Sequence, residues 1–132
     1  MPVLDASVLI SFLSDTECHH KNAVKIYRSI PAAQPFLVPE IFPVEVVAAF
    51  SRRHASDAYI RSLQGLVLSP KFVRVDLNDE LLEKAFLVAK TLKLRANDAL
   101  YVATAILHKQ KILSLDKEII QKCKSEYPEL IE

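Results

Sequence analysis

The chain has 132 residues, room for about one domain and no second core. It carries a single glycine, Gly65, where average usage near 7% would give about nine. The glycine-rich phosphate loop and the dinucleotide fingerprint each need two or three, so both are excluded, and a net charge of +1 leaves no global field to mark a nucleic-acid partner.

In chain order, Val3-Leu4 opens a very short strand that ends at Asp5. Val8, Leu9, Phe12 and Leu13 keep helical spacing, and Ala23, Val24, Ile26, Tyr27 and Ile30 predict a second helix. Pro31, Pro35, Pro39 and Pro43 bracket the apolar triplet Phe36-Leu37-Val38, a short buried strand. A helix is expected from Pro43, a residue suited to the first helical position, with Val44, Val47, Ala48 and Phe50 on its apolar side. Tyr59, Ile60, Leu63 and Leu66 predict another helix, and Phe72 to Val75 a strand. Asn78 is the expected cap of a helix that buries Leu81, Leu82, Ala85, Val88 and Ala89. Asn97 or Asp98 is expected to open the next, with Leu100, Val102, Ala103, Ile106 and Leu107. Ile112 to Leu115 then read as a strand ending at Asp116, with a short helix through Ile119 and Ile120 behind it. Strands alternating with helices predict an α/β fold with a mainly parallel sheet, one domain over residues 1–132.

Four acids take corresponding places in that scheme. Asp5 and Asp116 end strands, while Glu45 and Asp98 stand at helix starts. A helix from Asp98 to Gln110 runs roughly 20 Å, and a strand of four or five residues returns about 13 to 17 Å. Asp98 and Asp116 are therefore expected on one side of the molecule. In an open parallel sheet, strand carboxyl ends and the following helix starts share the edge where ligands bind. Four carboxylates at that edge repel one another, and a hard divalent cation is the natural compensation. Mg²⁺ or Mn²⁺ held there would polarise a phosphodiester and acidify an attacking water, with no nucleophilic side chain required. A serine-hydrolase elbow lacks its flanking glycines.

The segments Val3-Leu4-Asp5-Ala6-Ser7, Pro43 to Ala48, Arg95 to Ala103 and Leu113-Ser114-Leu115-Asp116 closely resemble the PIN-domain nucleases, nearest to the VapC-like toxin ribonucleases. The resemblance covers essentially the whole chain, in the correct order. It implies a PIN-like three-layer fold with a five-stranded, mainly parallel sheet flanked by helices. It places the metal ligands on Asp5 and Asp98, completed by Glu45 and Asp116. Ser7 and Ser114 fall on small hydroxyl positions expected to hydrogen-bond the acids. The implied activity is a metal-dependent endoribonuclease with RNA as substrate. Homodimers are common in the family, and in its toxin group a cognate antitoxin protein occludes the site with an inserted segment.

Plainer readings apply to single residues. One first-turn acid alone is worth about 0.3 to 1 kcal/mol to a helix, and Asp5 alone could be a cap. Asp79 and Glu80 are such acids outside the matching segments and read as structural. Cys18-His19-His20 has no partner group at zinc-site spacing, and His108 suits a helix carboxyl end. Arg52-Arg53-His54, Lys90 and Lys93 read as solvated charge, Arg95 as a phosphate contact near Asp98, and Tyr101 as core or interface. A haloacid-dehalogenase-type phosphatase would want an acid where Ser7 stands, and a receiver domain an acidic pair where Asp5 stands alone. A non-catalytic PIN-like module that binds RNA or protein is the alternative to the enzyme. The start MPVLDAS resembles no signal peptide, no apolar run reaches the roughly 18 residues of a membrane span, and two distant cysteines read as reduced thiols of a cytoplasmic protein.

Overall fold

A computed structural model describes all residues, 1–132. The elements follow in order as β1 (Val3–Leu4), α1 (Ala6–Phe12), α2 (His20–Arg28), β2 (Phe36–Pro39), α3 (Phe42–Arg52), α4 (Asp57–Val67), β3 (Phe72–Val75), α5 (Asp79–Leu92), α6 (Ala96–His108), β4 (Ile112–Leu113) and α7 (Lys117–Glu126), with a 3-10 turn at Pro128–Leu130. The sheet is parallel throughout, in the order β3-β2-β1-β4. Val3 pairs with Leu37 on one side and Ile112 on the other, so the earliest strand lies at the centre. Helices flank the sheet; α6 packs on β1, β2 and β4, and α1 packs against α2 and α3.

β1 and β2 read as continuous apolar runs because both sheet faces are covered there, whereas the edge strand β3 exposes Val73 and Arg74. Val3, Leu4, Phe36 and Val38 are fully buried. An aromatic chain, Phe12–Tyr27–Phe36–Phe72–Phe42, with centroids 4.2 to 6.0 Å apart, ties α1, α2 and α3 to β2 and β3. Lys71 Nζ donates to the carbonyls of Ala32 and Gln34, fixing the proline-rich loop from the β3 side.

Several boundaries differ from those expected. The sheet has four strands, not five. After α7 the chain enters the turn at Pro128, which has no N–H for a ladder, and only the Lys111 side chain reaches the Glu129 and Ile131 carbonyls. β4 stops at Leu113 rather than Leu115, because the Leu115 and Asp116 amides donate to the hydroxyls of Ser7 and Ser114 instead of to a neighbouring strand. Helix α3 begins at Phe42, one residue before Pro43, and Val44 is 68% exposed because Phe42, Pro43, Val46 and Phe50 take the buried face. Arg95, not Asn97 or Asp98, occupies the cap position of α6, so Asp98 is free of capping duty. Asn78 caps α5 as expected, its Oδ1 accepting from the Leu81 amide.

Backbone at positive φ falls at His54, Lys93 and Lys109, and none of these is glycine. Lys93 and Lys109 close α5 and α6 in the left-handed region, where a cation also suits the helix carboxyl end. Gly65 instead lies inside α4, and a Cβ added there would meet no atom within 4 Å. Both cysteines are free thiols, Cys18 exposed and Cys123 buried, with burial pushing the Cys123 thiol up to about 11. No helix is long and apolar enough to cross a membrane. Because Gly65 gains nothing from its missing side chain, Gly65→Ala is expected to stabilise the fold by about 0.5–1 kcal/mol. Thermal unfolding should show this as a rise in Tm of a few degrees.

Candidate active site

Asp5 is placed by the sheet. Its amide donates to the Leu113 carbonyl at 2.9 Å, extending the β1–β4 pairing by one residue. It occupies the cap position of α1, yet its side chain makes no capping bond. Oδ2 instead accepts from Ser7 Oγ and Ser114 Oγ, each at 2.7 Å. Oδ1 keeps no protein partner. The residue is buried, and burial is the main force raising its carboxyl above the usual range, with Asp116 adding to it and the two hydroxyls opposing.

The same serines organise the loop after β4. Ser7 Oγ accepts from the Leu115 amide at 3.3 Å, and Ser114 Oγ from the Asp116 amide at 3.0 Å. Each hydroxyl therefore donates to Asp5 and accepts from the segment that carries Asp116. Asp116 caps α7 through Oδ1, which accepts from the Glu118 amide at 2.9 Å and the Ile119 amide at 3.5 Å. Its second oxygen is left for the cleft.

Asp98 lies in the first turn of α6, where the helix N-terminus favours negative charge. It is 8% exposed, and its Oδ2 is buried with no hydrogen-bond partner. Arg95 Nε stands 3.5 Å away, on a side chain 80% exposed, and supplies charge rather than a directed bond. Burial raises the Asp98 carboxyl first, then Asp116 and Asp5; Arg95 works the other way.

Glu45, in the first turn of α3, is held from α6. Oε1 accepts from the Tyr101 hydroxyl at 2.6 Å, and Oε2 from Asn97 Nδ2 at 3.4 Å. Burial also raises its carboxyl, the Tyr101 bond lowers it, and Asp5 and Asp98 push upward. Tyr101 is fully buried and its phenol is raised well above its usual range, chiefly by burial, so it remains a donor.

All four acids line one cleft of about 370 Å³. Ser7, Asn97, Arg52 and Arg95 share its walls, and Ala48 and Ala49 keep the α3 side low. Ser114 touches it only through Asp5. The expected placement of the acids at one edge is therefore met, while Asn97, read as a helix opener, and Arg52, read as solvated charge, also line the cleft, and Tyr101, read as core or interface, is buried but bonds Glu45. A buried tyrosine three residues after Asp98 was the available signal, since such a hydroxyl needs a partner. The plainer readings hold elsewhere: His20 Nδ1 lies 2.8 Å from the Ser11 carbonyl, and Asp79 and Glu80 serve the first turn of α5. A separate groove of about 320 Å³ between α3 and α4, lined by Val44, Val47 and Leu68, has no titratable side chain.

No three His, Cys, Asp or Glu side chains converge closely enough to cage a metal ion unaided. The donor set nevertheless suits a hydrated hard cation, which keeps several waters and needs only one or two carboxylates. Asp98 Oδ2 is the diagnostic atom, a buried acceptor the protein leaves unsatisfied. Asp98 and Asp5 are the residues that could hold such an ion.

The sequence profile of the PIN domain matches residues 3–125. No curated protein matches the sequence. Among solved structures, a toxin–antitoxin complex from Klebsiella pneumoniae is similar over 100% of this chain and 96% of that one, with a TM-score of 0.71 and 18% identity. The Mycobacterium tuberculosis toxin VapC20, which cleaves the sarcin–ricin loop, is similar over 92% of this chain and 94% of that one, with a TM-score of 0.77 and 15% identity. At these identities the likeness is one of fold, and it agrees with the profile match from β1 to α7. The chain belongs to the PIN-domain family.

Proposed function

We propose that the protein is a metal-dependent endoribonuclease that hydrolyses RNA phosphodiester bonds as the toxin of a VapBC-type toxin–antitoxin pair in the cytoplasm. The observation that carries this reading is the convergence of four carboxylates on one cleft, with Asp98 Oδ2 buried without a hydrogen bond and only the Arg95 guanidinium beside it. The fold shared with two toxin structures supports it.

Asp5 and Asp98 would hold Mg²⁺ or Mn²⁺, with Glu45 and Asp116 completing the acidic cluster and reaching the ion through its waters. Such an ion would supply the positive charge that polarises a phosphodiester and acidifies a water there. Ser7 and Ser114 fix one oxygen of Asp5 and so aim the other into the cleft. Tyr101 and Asn97 orient Glu45, whose weakly bonded Oε2 is placed to take a proton from the attacking water. Arg95, exposed at the rim and paired with Asp98 at 3.5 Å, would meet a substrate phosphate when RNA is bound. The apolar groove beside α3 offers an antitoxin a surface next to the acids, and a homodimer would extend the RNA path.

Purified protein incubated with a mixed RNA pool is expected to cut in Mg²⁺ or Mn²⁺ and to stop in EDTA. Asp5→Asn and Asp98→Asn should each abolish cutting, and cleavage that survives EDTA or both substitutions overturns the mechanism. Binding without cutting by the wild type would instead identify a non-catalytic module.

Removing one of four mutually repelling charges has a second, thermodynamic signature. Without metal, Asp98→Asn is expected to be more stable than the wild type by about 0.5–2 kcal/mol, seen as a higher Tm. Added Mg²⁺ should raise the wild-type Tm and leave that of Asp98→Asn unmoved.

Tyr101→Phe removes only the hydroxyl that donates to Glu45. A hydrogen bond to a charged group is worth about 1.5–3 kcal/mol. Steady-state kinetics should show kcat reduced by about ten-fold or more with KM little changed; an unchanged kcat would remove Tyr101 from the positioning of Glu45.

A further inference from the structure

The Arg52-Arg53-His54 cluster at the end of α3 divides by function. Arg53 is committed to the fold: Nη1 donates to Ser14 Oγ at 2.9 Å, Nη2 to Glu17 Oε2 at 3.0 Å, and the guanidinium lies over the Phe50 ring at 5.5 Å. Arg52 makes no hydrogen bond and no ion pair, although it lines the cleft that holds four carboxylates. Helical phase puts it there. Glu45, Ala48, Ala49 and Arg52 form one stripe at the i, i+3, i+4 and i+7 positions, and all four face the cleft. The two alanines leave an open track along α3, and Arg52 stands at its end, about 10 Å along the helix from Glu45.

RNA approaching this cleft meets a problem of charge. A metal ion can offset the acids only at the phosphate being cut, while neighbouring phosphates still face a floor of negative charge. The chain's net charge of +1 gives no general attraction to make up for it. An unpaired guanidinium on the wall is suited to that deficit, because its planar donors match two phosphate oxygens at once.

We propose that Arg52 is a substrate-binding residue, holding an RNA backbone phosphate next to the scissile one. With Arg95 on the turn before α6, it draws the strand across the acids from the α3 wall to the α6 wall. This assignment rests on the ribonuclease reading above.

The test is steady-state cleavage of one oligonucleotide substrate, chosen from those cut in the RNA pool, by wild type, Arg52→Ala, Arg52→Lys and Arg53→Ala. Arg52→Ala is expected to raise KM about ten-fold with kcat within two-fold, and Arg52→Lys to fall between. Arg53→Ala should lose thermal stability and keep its KM. The slope of log(kcat/KM) against log salt should become shallower by about 0.7 for Arg52→Ala, the loss of one phosphate contact on a single strand. If the wild type cuts RNA while Arg52→Ala keeps both its KM and its salt slope, the assignment of Arg52 is overturned and the nuclease stands. If the wild type cuts no RNA in any metal, the nuclease reading fails and takes this assignment with it.

Discussion

Gathering four carboxylates into one cleft costs free energy, and much of the local structure serves to contain that cost. Each acid has its own device. Asp5 takes two serine hydroxyls, Glu45 a buried phenol and an amide, and Asp116 the first amides of α7. Asp98 has only the N-terminal field of α6 and an exposed guanidinium 3.5 Å away. Helix termini contribute about 0.3–1 kcal/mol per charge, too little to cancel burial and mutual repulsion together. The residue of that cost stays visible in the raised carboxyls of Asp5, Glu45 and Asp98. A cleft that gathers unneutralised carboxylates in this way lowers the stability of the fold that carries it.

The sheet makes the gathering possible with very little strand. β1 and β4 each contribute two ladder residues, yet their parallel register puts Asp5 beside the Ser114–Asp116 loop. Where β4 leaves the ladder, serine hydroxyls replace strand partners for two amides. Precision at the site therefore comes from side chains that finish what the short strands begin. On the other side, the aromatic chain through Phe36 and Phe72 holds β2 and β3, and the α3 that follows, to the same frame.

The positions of the acids were legible because strand ends and helix starts leave strong local signals. Val3-Leu4-Asp5 and Ile112 to Asp116 each show an apolar run closed by an acid, and Pro43 fixes the neighbourhood of Glu45. Less local facts were hidden. That Tyr101 reaches Glu45 depends on how α3 and α6 face each other, 56 residues apart in the chain. The split between Arg52 and Arg53 depends on Ser14 and Glu17 reaching Arg53, which no pattern near residue 52 encodes. The end of β4 was misplaced for the same reason, since the competing acceptor, Ser7 Oγ, lies 108 residues from Leu115. The lone glycine lies within the helix expected over Tyr59 to Leu66, and His54, Lys93 and Lys109 take the left-handed positions that no local pattern marks.

The bond from Ser114 to Asp5 spans 109 residues of sequence. A ribosome making this chain delivers Asp5 first and the loop that secures it long afterwards. Until residues 114 to 116 emerge, the first acid lacks one of its hydroxyl donors and the cleft lacks its fourth carboxylate. The cleft is consequently complete only after the last of its four acids has been made. The acid made first is thus the one whose surroundings are finished last.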